Sequence, residues 1–187
     1  MSSTRRISAL VITLSALLNG AAAQAAGLTI PLAEAAVISE PGNPTNVRVL
    51  LRFDVPLSLS GSTVDLAMLH IALPLAEADV DEVPFEVFPV TREWSAGEVA
   101  WDEGWADGDG TWSRADGALI DIPVGEERSV RIDVTRLVQT WVDGGLANHG
   151  SVLVPSKAPA VVASLELAAA PTIYLRYSPK RQAGARR

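Results

Sequence analysis

Short apolar runs separated by turn residues dominate the chain after about residue 33. Val47–Phe53, Val64–Leu73, Phe85–Val90, Ala118–Ile122, Val130–Val134, Gly150–Val154 and Thr172–Tyr177 read as strands, with shorter candidates at Ala35–Ile38, Glu98–Trp101 and Ala163–Leu167. Between them stand Pro41-Gly42-Asn43-Pro44, Pro56, Ser60-Gly61, Pro74, the glycines from Gly104 to Gly110, and Gly125. In Val64–Leu73 the positions Asp65, Ala67, Leu69, Ile71 and Leu73 alternate with Val64, Leu66, Met68, His70 and Ala72. Both sets are largely apolar, which predicts a central strand covered on each face.

A single stretch breaks the period of two. Val134, Leu137, Val138 and Trp141 fall at i, i+3, i+4 and i+7 and share one helical face, predicting a helix over Thr135–Val142. Asp133 or Thr135 can cap its start, and Gly144-Gly145 can end it. At two turns it has no stability of its own and must lie on something apolar. Many short strands and one such helix predict an all-β fold, a sandwich or barrel rather than a βαβ fold, with the short helix as a lid on the open end of a β-sandwich.

The first 25 residues read as a signal peptide. Arg5 and Arg6 precede an apolar run, Ile7–Leu18, and two small-x-small sites follow, Ala21–Ala23 and Ala23–Ala25. The run is short for a bilayer span, and no later stretch is long enough, so no membrane span is expected in the mature chain. The expected location is outside the cytoplasm, either extracellular or periplasmic. A bacterial lipoprotein needs a cysteine at its cleavage site, and a disulfide framework needs several; the chain has none. Stability must therefore come from a packed core, for which about 160 mature residues suffice.

Charge sharpens the picture. All 22 acidic residues lie between Glu34 and Glu166, and outside the first 25 residues and the basic end only nine basic residues accompany them, a net of −13 for the body. Such a body is a poor partner for nucleic acid, because phosphate binding needs the opposite sign. The basic end, residues 179–187, reads as a disordered tail.

Several segments, in order, carry a family likeness. They are Leu50-Leu51-Arg52-Phe53-Asp54, Ser62-Thr63-Val64-Asp65-Leu66-Ala67-Met68-Leu69, and Val87-Phe88-Pro89-Val90-Thr91-Arg92-Glu93-Trp94 through Trp101. The Asp133-Val134-Thr135 helix start, Asn148-x-Gly150 and the closing Ile173-Tyr174-Leu175-Arg176-Tyr177 complete the series. This order resembles the DNRLRE domain, itself similar to carbohydrate-binding module family 96, over about residues 33–178. The resemblance implies an extracellular, non-catalytic, jelly-roll-like module. The loop after the first strand is shorter than usual in the family, and no catalytic neighbour accompanies the domain.

Candidate chemistry is sparse. His70 and His149 are the only histidines, no nucleophile elbow or phosphate loop is present, and no His/Cys metal spacing occurs. Asp102-Glu103 and Glu126-Glu127 are adjacent acids rather than carboxyls paired across a cleft. The chain is therefore expected not to be an enzyme.

Four of the five tryptophans lie within 19 residues: Trp94, Trp101, Trp105 and Trp112. Trp94, Trp101 and Trp141 match recurring positions of the family and are expected in the framework. Trp105 and Trp112, in a glycine-rich insert, are the candidates for an exposed platform on which a sugar ring stacks, with core packing as the alternative. In the same insert Asp107 and Asp109 are candidate oxygen ligands for calcium, with a plain acidic turn as the alternative. Two functions follow: a binding module for extracellular polysaccharide, or a structural subunit whose partners are cell-surface or matrix proteins.

Overall fold

The computed structural model describes residues 25–72, 82–101, 104–105, 108, 111–113, 118–123, 129–156 and 169–180, without the side chains of 44, 118–119, 121–123 and 169. Eight strands form: β1 (Ala26–Glu40), β2 (Asn43–Phe53), β3 (Thr63–Ala72), β4 (Glu82–Pro89), β5 (Ala118–Pro123), β6 (Ser129–Asp133), β7 (Ser151–Pro155) and β8 (Ala169–Ser178). One helix, α1 (Thr135–Val142), lies between β6 and β7. All pairings are antiparallel, in the order β5-β4-β7-β2-β1-β8-β3-β6.

The continuous sheet folds over at β1 into two layers. Ala26–Pro31 pairs with β8, and Leu32–Glu40 pairs with β2. The layers are thus β1-β8-β3-β6 and β1-β2-β7-β4-β5, the Greek-key order of a jelly roll. The switch happens at Ala33. Leu32 pairs with Phe53 and Glu34 with Arg52, so Ala33 is an extra residue without a partner, a bulge that bends the strand and reverses its facing. Leu28, Ile30 and Leu32 point into the core before it, and Ala35 points there after it.

Between the layers lies one large core. It takes Val47, Val49, Leu51 and Phe53 from β2, Ala67, Leu69 and Ile71 from β3, Val83, Phe85 and Val87 from β4, and Ile173 and Leu175 from β8. The helix seals its end with Val134, Leu137, Val138, Trp141 and Val142, the face expected from the spacing. Its polar side chains take over where β6 ends. Thr135 Oγ1 accepts the Ala67 N–H at 2.9 Å, and Gln139 Oε1 accepts the Val64 N–H at 2.6 Å. Gln139 Nε2 donates to the Ser62 carbonyl. The helix therefore satisfies the β3 edge as a strand would. Asp133 accepts the Thr135 N–H at its start. At its end Gly144 and Gly145 donate to the Trp141 and Thr140 carbonyls, the paired bonds of a Schellman motif.

Three strand expectations change. The first strand runs from Ala26, well beyond Ala35–Ile38. Glu98–Trp101 forms no strand; the Ser95 carbonyl turns the chain by accepting the Glu98 and Val99 N–H groups. Ala163–Leu167 lies outside the described residues. β3 is central in its layer, but among the described residues only one of its faces is covered. A bulge at Asp65 places Val64 with the core set, while Leu66, Met68, His70 and Ala72 stay half-buried on the outside. No helix among the described residues is long and apolar enough to cross a membrane.

Candidate binding surfaces

The two layers have very different outer faces. On the β2-β7-β4 side the middle of the outer face is apolar, with Leu50, Phe88, Val152 and Val154 and Ile38 from β1, while Arg48, Arg52 and Glu86 stand around them. Left bare, this middle would be a continuous hydrophobic patch. Residues following β4 cover it. Val90 bridges to Trp112, Thr91 N–H donates to the Thr111 carbonyl, and Ser113 N–H donates to the Pro89 carbonyl, which staples the far end of this segment back onto β4.

Trp94, Trp105 and Trp112 all pack down into this second core, with Val99 and Trp101 at its margin. Trp105 is 2% exposed and Trp112 4% exposed, which corrects the expectation of an exposed platform. The physical cause is the apolar demand of the sheet beneath. Phe88 stacks on Trp112 with ring centroids 4.7 Å apart. The other side of the indole is closed by Gly108, where a Cβ would fall 2.4 Å from the ring. The Gly104 carbonyl holds the loop shut, accepting from Gly108 N–H and from Thr111 Oγ1.

Arginines pin the cover from its rim. Arg48 lies over Trp101 at 4.6 Å, Arg52 over Trp94 at 5.7 Å and Arg92 over Trp105 at 5.3 Å. Arg52 also pairs with Glu34 and donates to the Trp94 carbonyl, while Glu34 accepts the Ala96 N–H at 2.6 Å. Trp94 Nε1 donates to the His149 carbonyl at 2.7 Å. Gly150, next in the chain, presses its backbone on Leu51, where a Cβ would meet the carbonyl oxygen at 2.2 Å. Asn148 completes this junction by donating to the Phe53 carbonyl.

The outer face of β1-β8-β3-β6 carries no comparable cover among the described residues. Strand register defines its rows: Gly27–Arg176–Leu66, then Thr29–Tyr174–Met68–Asp133, then Pro31–Thr172–His70–Arg131. Tyr174 stands at the centre, 43% exposed. A Cβ on Gly27 would lie 3.5 Å from its hydroxyl, so the phenol leans across a position with no side chain. Arg131 and Arg176 are exposed and His70 is half-buried. None of these three side chains, nor the Tyr174 hydroxyl, has a hydrogen-bond or ion-pair partner among the described residues. The face offers one aromatic surface ringed by uncommitted donors.

Sequence reasoning passed over Tyr174. The signal was present, since Tyr174 alternates with Ile173 and Leu175, which mark the core face. Asp107 and Asp109 lie outside the described residues, as do Asp102, Glu103, Glu126 and Glu127. Among the described residues no three His, Asp or Glu side chains gather as a metal site. His70 and His149 are apart in role as well as place: one faces outward on β3, and the other lends its carbonyl to Trp94. No protein-family model matches the chain, and no curated protein matches it.

Proposed function

We propose that the chain is an exported, non-catalytic binding module that contacts polysaccharide through the open face of β1-β8-β3-β6. The observation that carries this reading is the exposed Tyr174 ring set among donors with no partner among the described residues. A pyranose ring offers an apolar C–H face to stack on an aromatic and hydroxyls around its rim. Tyr174 supplies the first contact; His70, Arg131, Arg176 and Thr172 stand in the right rows for the second. The likeness to the DNRLRE and family 96 modules supports the same class of ligand. Export rests on Arg5, Arg6 and the apolar run after them.

The test is a glycan array and polysaccharide pull-down with the purified protein, with calcium and with chelator. Retention on at least one polysaccharide is expected, abolished by Tyr174→Ala while the fold is kept and unfolding shifts only slightly. A calcium-dependent part of the signal that Asp107→Asn with Asp109→Asn removes would assign the ion to those two carboxylates. Silence on every polysaccharide overturns the reading in favour of a structural subunit.

A further inference from the structure

Among the described residues each paired position of β1 has a strand on one side only, and the side changes at Ala33. Leu32–Glu40 pairs with β2 and has no strand on its other side among the described residues. β8 cannot extend there. Its ladder with β1 ends at Thr172, and Pro171 beyond it has no N–H to donate. An unpaired edge of this length presents a row of backbone donors and acceptors spanning about 30 Å.

Exposed edges are ordinarily blunted by charge, proline or a short strand. Here Pro31 and the Ala33 bulge guard the beginning, and Glu40 with Pro41 the end. Between them the sequence is Glu34-Ala35-Ala36-Val37-Ile38-Ser39. Its one ionisable group, Glu34, is already committed to Arg52 and the Ala96 N–H. Val37 is 42% exposed, although Val49 opposite it on β2 is fully buried.

We infer that this edge pairs with the same edge of a second copy, antiparallel about a two-fold axis. Ala33–Ser39 of the two chains would join their β1-β2-β7-β4-β5 layers into one continuous sheet. The occupant is argued from charge and symmetry. The chain as a whole carries −7, so most faces of two copies repel. This segment brings no uncommitted charge, is apolar in itself, and supplies both halves of a closed, isologous contact. Strand addition of this kind draws affinity from main-chain hydrogen bonds. It uses no residue of the Tyr174 face, so its failure and that of the polysaccharide reading are separable.

The absence of cysteine makes the test clean. Sedimentation equilibrium of the full chain across roughly 1–100 µM should show a monomer–dimer equilibrium. Val37→Lys, with Ser39→Lys as a second variant, should weaken the dimer by about tenfold or more while leaving the far-ultraviolet circular dichroism unchanged. Tyr174→Ala should leave it intact. Single cysteines at positions 33, 35, 37 and 39 should cross-link under mild oxidation, most strongly at the position nearest the two-fold axis and less with distance from it. A monomer throughout the range, a dimer indifferent to both lysines, or cross-linking equal at all four positions overturns the inference.

Discussion

Among the described residues one outer face of this sandwich is buried under tryptophans and the other is open around a single tyrosine, though both back onto the same core. β7 is buried at all five residues, because Val152 and Val154 face the cover while Leu153 faces the core. β3 has the same apolar look in sequence, yet Leu66 and Met68 stay half-buried against solvent. The difference lies in what the connecting segments supply. The chain that leaves β4 returns with Trp94, Trp105 and Trp112, and no described segment does the same over β3. A concentration of tryptophan is therefore no guide to a ligand until the apolar demand of the nearby sheet has been met.

The strongest way to break this contrast is to remove a ring from the covered face. Trp112→Ala deletes an indole stacked on Phe88 and leaves a hole that Gly108, having no side chain, cannot fill. A loss of about 4 kcal/mol is expected in denaturant unfolding. A near-neutral midpoint would mean that the cover is not part of the cooperative fold.

Gly150→Ala comes next, since it attacks the junction under the cover rather than the cover itself. Gly150 has φ +92°, and an added Cβ would strike the Leu51 carbonyl oxygen. Backbone strain and forced displacement together should cost about 3 kcal/mol, about 10 °C in Tm for a domain of this size. Calorimetry measures this directly, and a shift of a degree or two would show that the loop relaxes freely.

How much of this was legible follows from the range of each signal. Local patterns were sufficient for α1: its bounds, its buried face and its glycine exit are all written within a dozen residues. An all-β sandwich or barrel was legible from strand spacing, and the jelly-roll order came only with the family resemblance. The assignment of covered and open faces was not legible, because burial on a strand's second face depends on a segment distant in sequence. Val152-Leu153-Val154 was the available clue, a run with no polar alternation at all. In β3 the Asp65 bulge moved Val64 to the core set, a change of facing that no count of alternating residues reveals. For Trp105 and Trp112 the spacing left an exposed platform and core packing both open, and their burial fits the second.

A finer probe tests whether the rim of the cover matters as much as its rings. Glu34→Gln neutralises the partner of Arg52 but keeps an oxygen for the Ala96 N–H. Both side chains are partly solvated, so the pair is screened and the expected loss is at most about 1 kcal/mol. The gap between wild type and variant should close as salt rises toward about 1 M. A loss as large as that of Trp112→Ala would place the stability of the cover in its ion pair.

The smallest stability effect is expected at the centre of the open face. Tyr174 makes cross-strand neighbours of Thr29 and Met68 but seals no core, and its hydroxyl bonds to nothing within the described protein. Tyr174→Ala should therefore shift unfolding by about 0.5 kcal/mol, the scale of one cross-strand pair. Tyr174→Phe should shift it still less. The two variants separate ring from hydroxyl in binding: stacking alone would survive in the phenylalanine variant and vanish in the alanine one. A residue this exposed, in the middle of a sheet face, gains little for the fold by being aromatic. If Tyr174→Ala instead proved as damaging to stability as Trp112→Ala, both faces would belong to the core and the distinction between them would collapse.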